Sequence, residues 1–313
     1  MQATDLLGMM GGLALFLYGM KMMSDALEES AGQKLVDILE KLTDHKIKAI
    51  LVGTVVTCFV QSSSAMTVML IGFVNAHVMS LQRAIWVVMG ANIGTTITGQ
   101  MLALDIGIFA PILAIVGVVL IVFVSHDFLK RCGEIMGGFG ILFMGLEMMS
   151  QSMLPLQNST LFLRFAETLS NPFMGVLVGF MLTAIIQSSS ASIGILQTMV
   201  AQHLLPFSQA VYLIFGFDIG TCMTAFLASL SGCLNAKRLA LFHLFLNMVG
   251  TGLFVVLCQW TPLVDLVASF TPMHPMRQIA NMHTLFNVMT TFVVIFIDHY
   301  LLDLVYKILP AHH

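Results

Sequence analysis

The stretch Gln61-Ser62-Ser63-Ser64-Ala65 is the most informative feature for the fold, because it places polar and small residues inside an apolar segment that runs from residue 50 to residue 78. The same five-residue motif recurs at residues 187–191, and the spacing between the copies is 187 − 61 = 126 residues. Polar side chains are costly inside a membrane unless they find a partner or bind a ligand. Two copies therefore predict one site that is shared between two halves of the molecule.

The composition is that of a protein embedded in a membrane. Of the 313 residues, 58% are hydrophobic and 9% are charged, against about 25% charged in a typical soluble domain. Residues 106–124 contain no charged side chain, and a helix of that length crosses the ~30 Å of a hydrocarbon core. We therefore predict an all-α polytopic membrane protein. A net charge of −3 offers no basic surface for nucleic acid, and five scattered cysteines without a CxxC pair predict neither a disulfide nor a zinc site.

A second motif repeats in the same register. Residues 90–95 and 216–221 share the pattern Gly-x-x-Ile-Gly-Thr at the offset of 126 residues that the serine motif defines. Gly19 likewise corresponds to Gly145. One register that holds over most of each half indicates an internal duplication. We predict transmembrane repeats at 1–130 and 131–260, followed by an extra transmembrane helix and tail at 261–313.

Each repeat is predicted to contain a re-entrant hairpin with the serine motif at its tip. Non-helical backbone is tolerated at membrane depth only where it lines a cavity or is buried in protein. Each repeat is also predicted to contain a broken helix, interrupted at the Gly-x-x-Ile-Gly-Thr motif because glycines favour breaks. The hairpins are placed at 50–78 and 172–205, and the broken helices at 84–103 and 207–230.

The distribution of Lys and Arg predicts how the two repeats face the membrane. Several basic residues flank the first hairpin, whereas the corresponding segment of the second repeat has only Arg164. Cytoplasmic loops are enriched in Lys and Arg, so the two segments are expected on opposite sides. Three crossings per repeat give the same inverted topology, which is a transporter architecture. We expect a multi-pass protein of the cell (inner) membrane, with its N-terminus outside and its C-terminus cytoplasmic.

The two hairpin tips offer groups that bind both anions and hard cations. A serine hydroxyl donates and accepts hydrogen bonds, and a glutamine amide does both through two atoms. Exposed N–H groups at the start of a half-helix favour an anion, and carbonyl groups freed by a helix break suit Na⁺. Neither the hairpin tips nor the Gly-x-x-Ile-Gly-Thr segments contain Lys or Arg, so a bound oxyanion is expected to need co-bound cations. Further oxygens lie close by in sequence on Asn92, Thr95, Thr96, Thr98, Asp218, Thr221 and Thr224.

Two histidine–asparagine pairs lie on later helices. His243 precedes Asn247, and His283 precedes Asn287, each by four residues, so the members of a pair share one helix face. We predict that they form interhelical hydrogen bonds that lock the bundle. A role in binding a proton or a substrate is the alternative.

The paired motifs resemble the type II sodium/phosphate cotransporter family. The resemblance rests on the two QSSS motifs, on MGANIGT at 89–95 and on GFDIGT at 216–221, and it covers residues 11–254. It implies Na⁺-driven uptake of inorganic phosphate, with phosphate and Na⁺ held between the two hairpins. The family commonly has Asn where this chain has Asp218, and more threonines where it has Cys222 and Met223.

The resemblance assigns the hairpin tips to the substrate. The expected phosphate-binding residues are Gln61, Ser62, Ser63, Ser64, Gln187, Ser188, Ser189 and Ser190. Together with the neighbouring oxygens noted above, the expected Na⁺ ligands are Gln61, Ser64, Asn92, Thr95, Thr96, Thr98, Gln187, Asp218, Thr221 and Thr224.

These expectations favour a secondary active transporter that takes up inorganic phosphate with Na⁺ by alternating access. The alternatives are a Na⁺-coupled carrier of another small oxyanion or carboxylate, and a passive anion channel. An enzyme is not expected, because a serine nucleophile needs a base beside it, and the hairpin histidines, His77 and His203, lie near the outer ends. The expected partners are phosphate, Na⁺ as the coupling ion and the lipid bilayer, without a further cofactor or nucleic acid. A homodimer is compatible with the sequence.

Overall fold

The computed structural model describes residues 3–104 and 106–311, so the predicted tail residues 312 and 313 lie outside the described part. Within that part the chain forms α-helices and one short 3₁₀ helix, at Leu154–Asn158, and no strand. The α-helices are α1 (Ala3–Ala31), α2 (Gln33–Lys41), α3 (Lys46–Val60), α4 (Ser63–Asn75), α5 (Leu81–Leu102), α6 (Phe109–Phe123), α7 (Asp127–Met153), α8 (Thr160–Thr168), α9 (Pro172–Ile186), α10 (Ser189–Ala201), α11 (Phe207–Ser229), α12 (Leu234–Trp260), α13 (Leu263–Phe270) and α14 (Pro275–Ile308).

Five helices of the described residues are long and apolar enough to cross a membrane. They are α1, α7 with the 3₁₀ helix that follows it, α11, α12 and α14. A sixth candidate is the pair of α8 and α9, which is bent by 111° at the break between them. The polar motif in α5 interrupts its apolar surface, but its 22 residues still extend about 33 Å at 1.5 Å per residue. The expectation of an all-α multi-pass membrane protein is confirmed.

The helices repeat at the offset that the motifs define. Helices α3, α4 and α5 begin at residues 46, 63 and 81, and α9, α10 and α11 begin at residues 172, 189 and 207. Each pair of starts differs by 126 residues, since 172 − 46, 189 − 63 and 207 − 81 are equal. The internal repeat is confirmed, and α14 follows it as the predicted C-terminal helix.

Helices α1 and α7 pack against each other through matching glycines. Gly12 lies against Gly145, and Gly19 lies against Gly138, so the two helices run antiparallel. A Cβ atom at Gly12 would stand 2.8 Å from the Gly145 carbonyl oxygen, and one at Gly138 would stand 2.7 Å from that of Gly19. Since Gly12 corresponds to Gly138 and Gly19 to Gly145, the two contacts are equivalent under the internal repeat. Equivalent helices that cross antiparallel give the two repeats opposite orientations, as predicted.

Each serine motif lies at the turn of a re-entrant hairpin. Helices α3 and α4 have 15 and 13 residues, and residues 61–62 separate them. Their outer ends lie at the same end of the bundle. Lys46 Nζ, at the start of α3, donates to Asp298 Oδ1 of α14 at 2.9 Å, and Asn75 Oδ1, at the end of α4, accepts from the Cys233 N–H before α12 at 2.8 Å. The start of α12 is in turn bonded to the end of α14.

The expectation of a broken helix at each Gly-x-x-Ile-Gly-Thr motif is wrong, because α5 and α11 run through the motifs without interruption. The glycines serve helix packing instead. A Cβ atom at Gly90 would overlap the carbonyl oxygen of Ile50 in α3, and one at Gly94 would stand 2.5 Å from that of Thr54. The second copy makes the same contacts between α11 and α9. The motif therefore brings each long span into backbone contact with the first arm of its hairpin.

The two ends of the bundle differ in charge. We name the end that holds the start of α3 and the ends of α4 and α14 the basic face. The opposite face holds the ends of α7 and α10, where Gln202 Nε2 donates to Ser150 Oγ at 2.5 Å. That opposite face carries Arg164 and Arg277. The basic face carries Lys34, Lys41, Lys46, Lys48, Arg83, Lys130, Arg131, Lys237, Arg238 and Lys307.

Candidate functional site

The order of residues in each serine motif builds the hairpin tip. Gln61 and Gln187 adopt the left-handed conformation, with φ of 58° and 60°, and end α3 and α9. The following residues, Ser62 and Ser188, cap the next helices by accepting the N–H of the residue three positions later, at 3.1 and 3.2 Å. A left-handed conformation is uncommon for a residue other than glycine, and at this position it ends a helix. The glutamine therefore stops the first arm, and the first serine starts the second.

The tips of the two hairpins meet around one pocket of about 220 Å³. Its walls include residues 61–65 of the first hairpin, residues 187–190 of the second and Thr95 of α5. The starts of α4 and α10 thus face one space, where their free N–H groups and serine hydroxyls can donate to an anion. The structure brings together both serine motifs, although they are far apart in the sequence.

The first hairpin tip is tied to α5, whereas the second is more open. Thr98 Oγ1 donates to Gln61 Oε1 at 2.8 Å, and Thr95 Oγ1 donates to Ser63 Oγ at 3.3 Å. The counterpart of Thr98 is Thr224, whose hydroxyl donates to a carbonyl of its own helix. Gln187 is exposed in the pocket, while Gln61 is buried. The two halves of the site are therefore equivalent in sequence but different in hydrogen bonding.

The other predicted Na⁺ ligands lie outside the residues that line this pocket. The hydroxyls of Thr96, Thr221 and Thr224 each donate to a backbone carbonyl of their own helix, at 2.7 to 2.8 Å. Asn92 and Asp218 are buried and belong to a separate network of side chains. Of the predicted ligands beyond the serine motifs, Thr95 lines the pocket and Thr98 contacts it through Gln61.

Asp218 is the centre of the buried network. Its carboxylate accepts from Asn287 Nδ2 at 2.7 Å and lies 3.3 Å from His283 Nε2. Asn247 Nδ2 donates to the Asp218 carbonyl oxygen at 2.6 Å, and Asn247 Oδ1 accepts from Asn92 at 2.7 Å. Asn247 therefore connects the equivalent positions of the two repeats.

Both histidine–asparagine pairs belong to that network. His243 Nε2 lies 3.2 Å from Asn92 Oδ1, so α12 reaches α5, while the second pair joins α14 to α11. These are the predicted interhelical hydrogen bonds. His243 Nδ1, His283 Nδ1 and Asn287 Oδ1 are buried without a hydrogen-bond partner, so the network retains unused polar capacity.

Sequence reasoning missed the charged wall of the pocket. Lys21, Ser24, Asp25 and Glu28 of α1 line it beside the serine motifs. Lys21 Nζ and Asp25 Oδ2 form an ion pair at 2.6 Å. The motifs themselves contain no Lys or Arg, but Lys21 of α1 brings one positive charge to the pocket that they form. The signal available in the sequence was the spacing of these residues by three and four, which places them on one face of α1.

The fold and the pocket define a multi-pass membrane protein built from an inverted duplication around a polar site. The profile of the family described as Na⁺/Pi-cotransporter matches the chain twice, over residues 15–151 and 145–275. The chain belongs to this family, and the two matches together cover residues 15–275.

Three relatives show the range of proteins that the chain is similar to. YqeW of Bacillus subtilis is 35% identical over 304 residues, which are 96% of each chain. The protein named "Putative inorganic phosphate export protein YjbB" of Salmonella typhimurium is 27% identical over 263 residues, 84% of this chain and 48% of YjbB, so the chain spans about half the length of YjbB. Sodium-dependent phosphate transport protein 2A of Rattus norvegicus is 33% identical over 98 residues, 31% of this chain and 15% of the rat protein. No solved structure matches the chain at a significant level.

Proposed function

We propose that the protein is a secondary active transporter that takes up inorganic phosphate together with Na⁺ by alternating access. The observation that carries the proposal is the single pocket formed by both serine motifs. Two half-helix starts and the serine hydroxyls supply donors for the phosphate oxygens. The names of the family and of the rat relative, which mention Na⁺ and phosphate, support the same pair of substrates.

The two faces of the bundle support alternating access. The pocket at the hairpin tips is bordered by Lys21, Asp25 and Glu28, whose charges require water rather than hydrocarbon. On the opposite face, a cavity of about 1210 Å³ is lined by the ends of α5, α7 and α10. The buried Gln197 donates to the carbonyl oxygens of Gly99 and Met276, at 2.9 and 3.1 Å, and so binds α10 to α5 and α14 beside that cavity. This contact closes the opposite face in our proposal.

The charge of the two faces supports an orientation in the cell membrane. Lys and Arg favour the cytoplasmic side, so we place the basic face there, with the N-terminus outside and the C-terminus inside. The hairpin pocket then opens to the cytoplasm. Large apolar side chains such as Phe123 and Trp260 are 78% and 82% exposed, which suits contact with lipid.

The need for a cation follows from the charges around the site. The dibasic form of phosphate carries two negative charges, which Lys21 alone does not balance, and Asp25 already contacts that ammonium. Asp218 adds a buried carboxylate whose contacts are amides and an imidazole, not Lys or Arg. An unbalanced buried charge is unfavourable, so bound Na⁺ would stabilise both the carboxylate and the phosphate. We place Na⁺ between the hairpin tips and the α5 and α11 motifs.

Transport of labelled phosphate tests the proposal. Purified protein in proteoliposomes should concentrate phosphate when an inward Na⁺ gradient is imposed, and should not do so with an equal K⁺ gradient. Each positive charge that moves inward gains about 2.3 kcal/mol per 100 mV, so a net positive stoichiometry would make uptake rise with an inside-negative potential. Equal flux with both cations would contradict Na⁺ coupling and favour a passive channel. Uptake of sulfate or a carboxylate, but not phosphate, would favour the other carriers.

The shared pocket makes a paired mutational prediction. Ser63→Ala and Ser189→Ala should each raise the phosphate concentration for half-maximal uptake by about tenfold, because a hydrogen bond to a charged group contributes roughly 1.5 kcal/mol. Both serines are buried at the tips, and the yield of folded protein should stay near that of the parent. Thr168→Ala in α8, which removes an exposed hydroxyl away from the pocket, is the matched control. Normal uptake by both serine variants would contradict a site shared by the two hairpins.

A further inference from the structure

The wall that α1 contributes to the hairpin pocket has a counterpart in α7. Of the seven α7 residues that line the larger cavity on the opposite face, five lie 126 positions after α1 residues that line the hairpin pocket. None of the described residues that line the larger cavity belongs to a serine motif. The antiparallel α1–α7 contact thus places one such wall at each face. The equivalent pairs are Leu17 and Phe143, Met20 and Leu146, Lys21 and Glu147, Ser24 and Ser150, and Asp25 and Gln151.

Charge is the main difference between the two walls. Lys21 in the hairpin pocket is replaced by Glu147 in the larger cavity, and Asp25 is replaced by Gln151. Gln151 Nε2 donates to Glu147 Oε1 at 2.7 Å, so the same two positions are bonded as in the Lys21–Asp25 pair but with donor and acceptor exchanged. Among the described residues that line the hairpin pocket, Lys21 is the only one with a positive charge.

The Lys21 ammonium is free to change partner. The side chains of Lys21 and Asp25 are 69% and 53% exposed, so their ion pair is solvated and weak. The pair is also local, since its members are four residues apart on α1, and breaking it leaves the helix packing intact. A phosphate between the hairpin tips presents more negative charge than one carboxylate, and it can accept several of the donors of an ammonium group.

We propose that Lys21 is a phosphate-binding residue that acts on one face only, leaving Asp25 for the phosphate when the hairpin pocket opens toward the basic face. This rests on the proposed transport function. When the transporter opens toward the opposite face, Glu147 holds the equivalent position and repels the anion. The protein therefore binds phosphate more tightly from the basic face than from the opposite face. The direction of net transport is still set by the gradients, but the half-saturating concentration differs between the faces.

Membrane vesicles of the two orientations test the proposal in the full-length chain. The vesicles come from cells that lack other phosphate transporters, and an impermeant thiol reagent on Lys41→Cys or Ser159→Cys shows which face points outward. Initial rates of labelled phosphate transport then give the KM and maximal rate at each face. With the basic face outward, K21Q should raise the KM for phosphate about tenfold with little change in the maximal rate. With the opposite face outward, K21Q should leave the KM within twofold of the parent.

Two further variants test the charges beside Lys21 and at the equivalent position in α7. D25N releases the ammonium and should lower the KM severalfold at the basic face only. E147Q removes the repelling charge at the equivalent position and should lower the KM severalfold at the opposite face only. A KM that K21Q changes equally at both faces, or at neither, would overturn the role of Lys21 while phosphate transport itself stands. Absence of phosphate transport in the parent protein would instead overturn the proposed function.

Discussion

Gly90→Ala is expected to leave little folded protein. A Cβ atom at this position overlaps the Ile50 carbonyl oxygen and stands 2.8 Å from the Thr54 backbone nitrogen. Both neighbours are backbone atoms of α3, so no side chain can turn away and the whole hairpin arm would have to move. Overpacking of this kind costs about 1–3 kcal/mol and occasionally more, which is a large share of a marginal folding free energy. The fraction of detergent-solubilised protein that elutes as a single species in size-exclusion chromatography measures the effect.

Gly72→Ala is the matched control for this prediction. Gly72 is also helical, in α4 of the same repeat, and a Cβ atom there meets nothing within 4 Å. Alanine is favoured over glycine inside a helix by about 1 kcal/mol, so this variant should be as stable as the parent or more stable. Gly216→Ala, at the equivalent of Gly90, should behave like Gly90→Ala. Equal yields of Gly90→Ala and Gly72→Ala would show that α3 and α5 are not in backbone contact.

The contrast between these glycines explains which part of the fold could be predicted. The sequence itself shows the offset of 126 residues that indicates the duplication, the polar motifs that indicate the hairpins, and the distribution of Lys and Arg that indicates the inversion. A glycine-rich segment, however, has two physical readings in a membrane, a helix break or a close helix contact. Local sequence does not distinguish them. The choice depends on whether another backbone approaches the glycine, as Ile50 approaches Gly90.

The candidate site also has features that the sequence could predict and features that it could not. The serine motifs could be predicted to meet, because polar residues that repeat inside apolar helices need partners. The sequence could not predict that Asn92 and Asp218 belong to another network, because their distance from the tips depends on how the helices are rotated about their axes. Lys21, in contrast, lines the pocket but was not assigned to the site from the sequence. In the sequence it lies near the end of the first apolar segment, where a lysine commonly extends to water, and its approach to the tips is a tertiary contact.

Asp218→Asn is expected to raise the Na⁺ concentration for half-maximal phosphate uptake by tenfold or more. Asp218 is 3% exposed, and the change removes its negative charge while keeping its shape. A unit charge about 8 Å from a bound cation contributes about 2 kcal/mol at an effective dielectric constant near 20, or roughly thirtyfold in binding. Phosphate uptake at a series of Na⁺ concentrations measures the shift. An unaltered Na⁺ curve would remove Asp218 from the proposed Na⁺ site.

Two variants separate a loss of charge near Na⁺ from a general loss of structure. Asp298 is also buried, but it pairs with Lys46 at 2.9 Å and accepts from Trp86 Nε1 at 3.0 Å. Asp298→Asn should therefore lower the yield of folded protein and leave the Na⁺ curve of the remaining protein unchanged. The double variant D218N/N92D moves the carboxylate to the equivalent position, which Asn247 connects to Asp218. Partial recovery of the Na⁺ affinity in that variant would show that the charge acts through the field of the whole network, whereas no recovery would assign its effect to the Asp218 position itself.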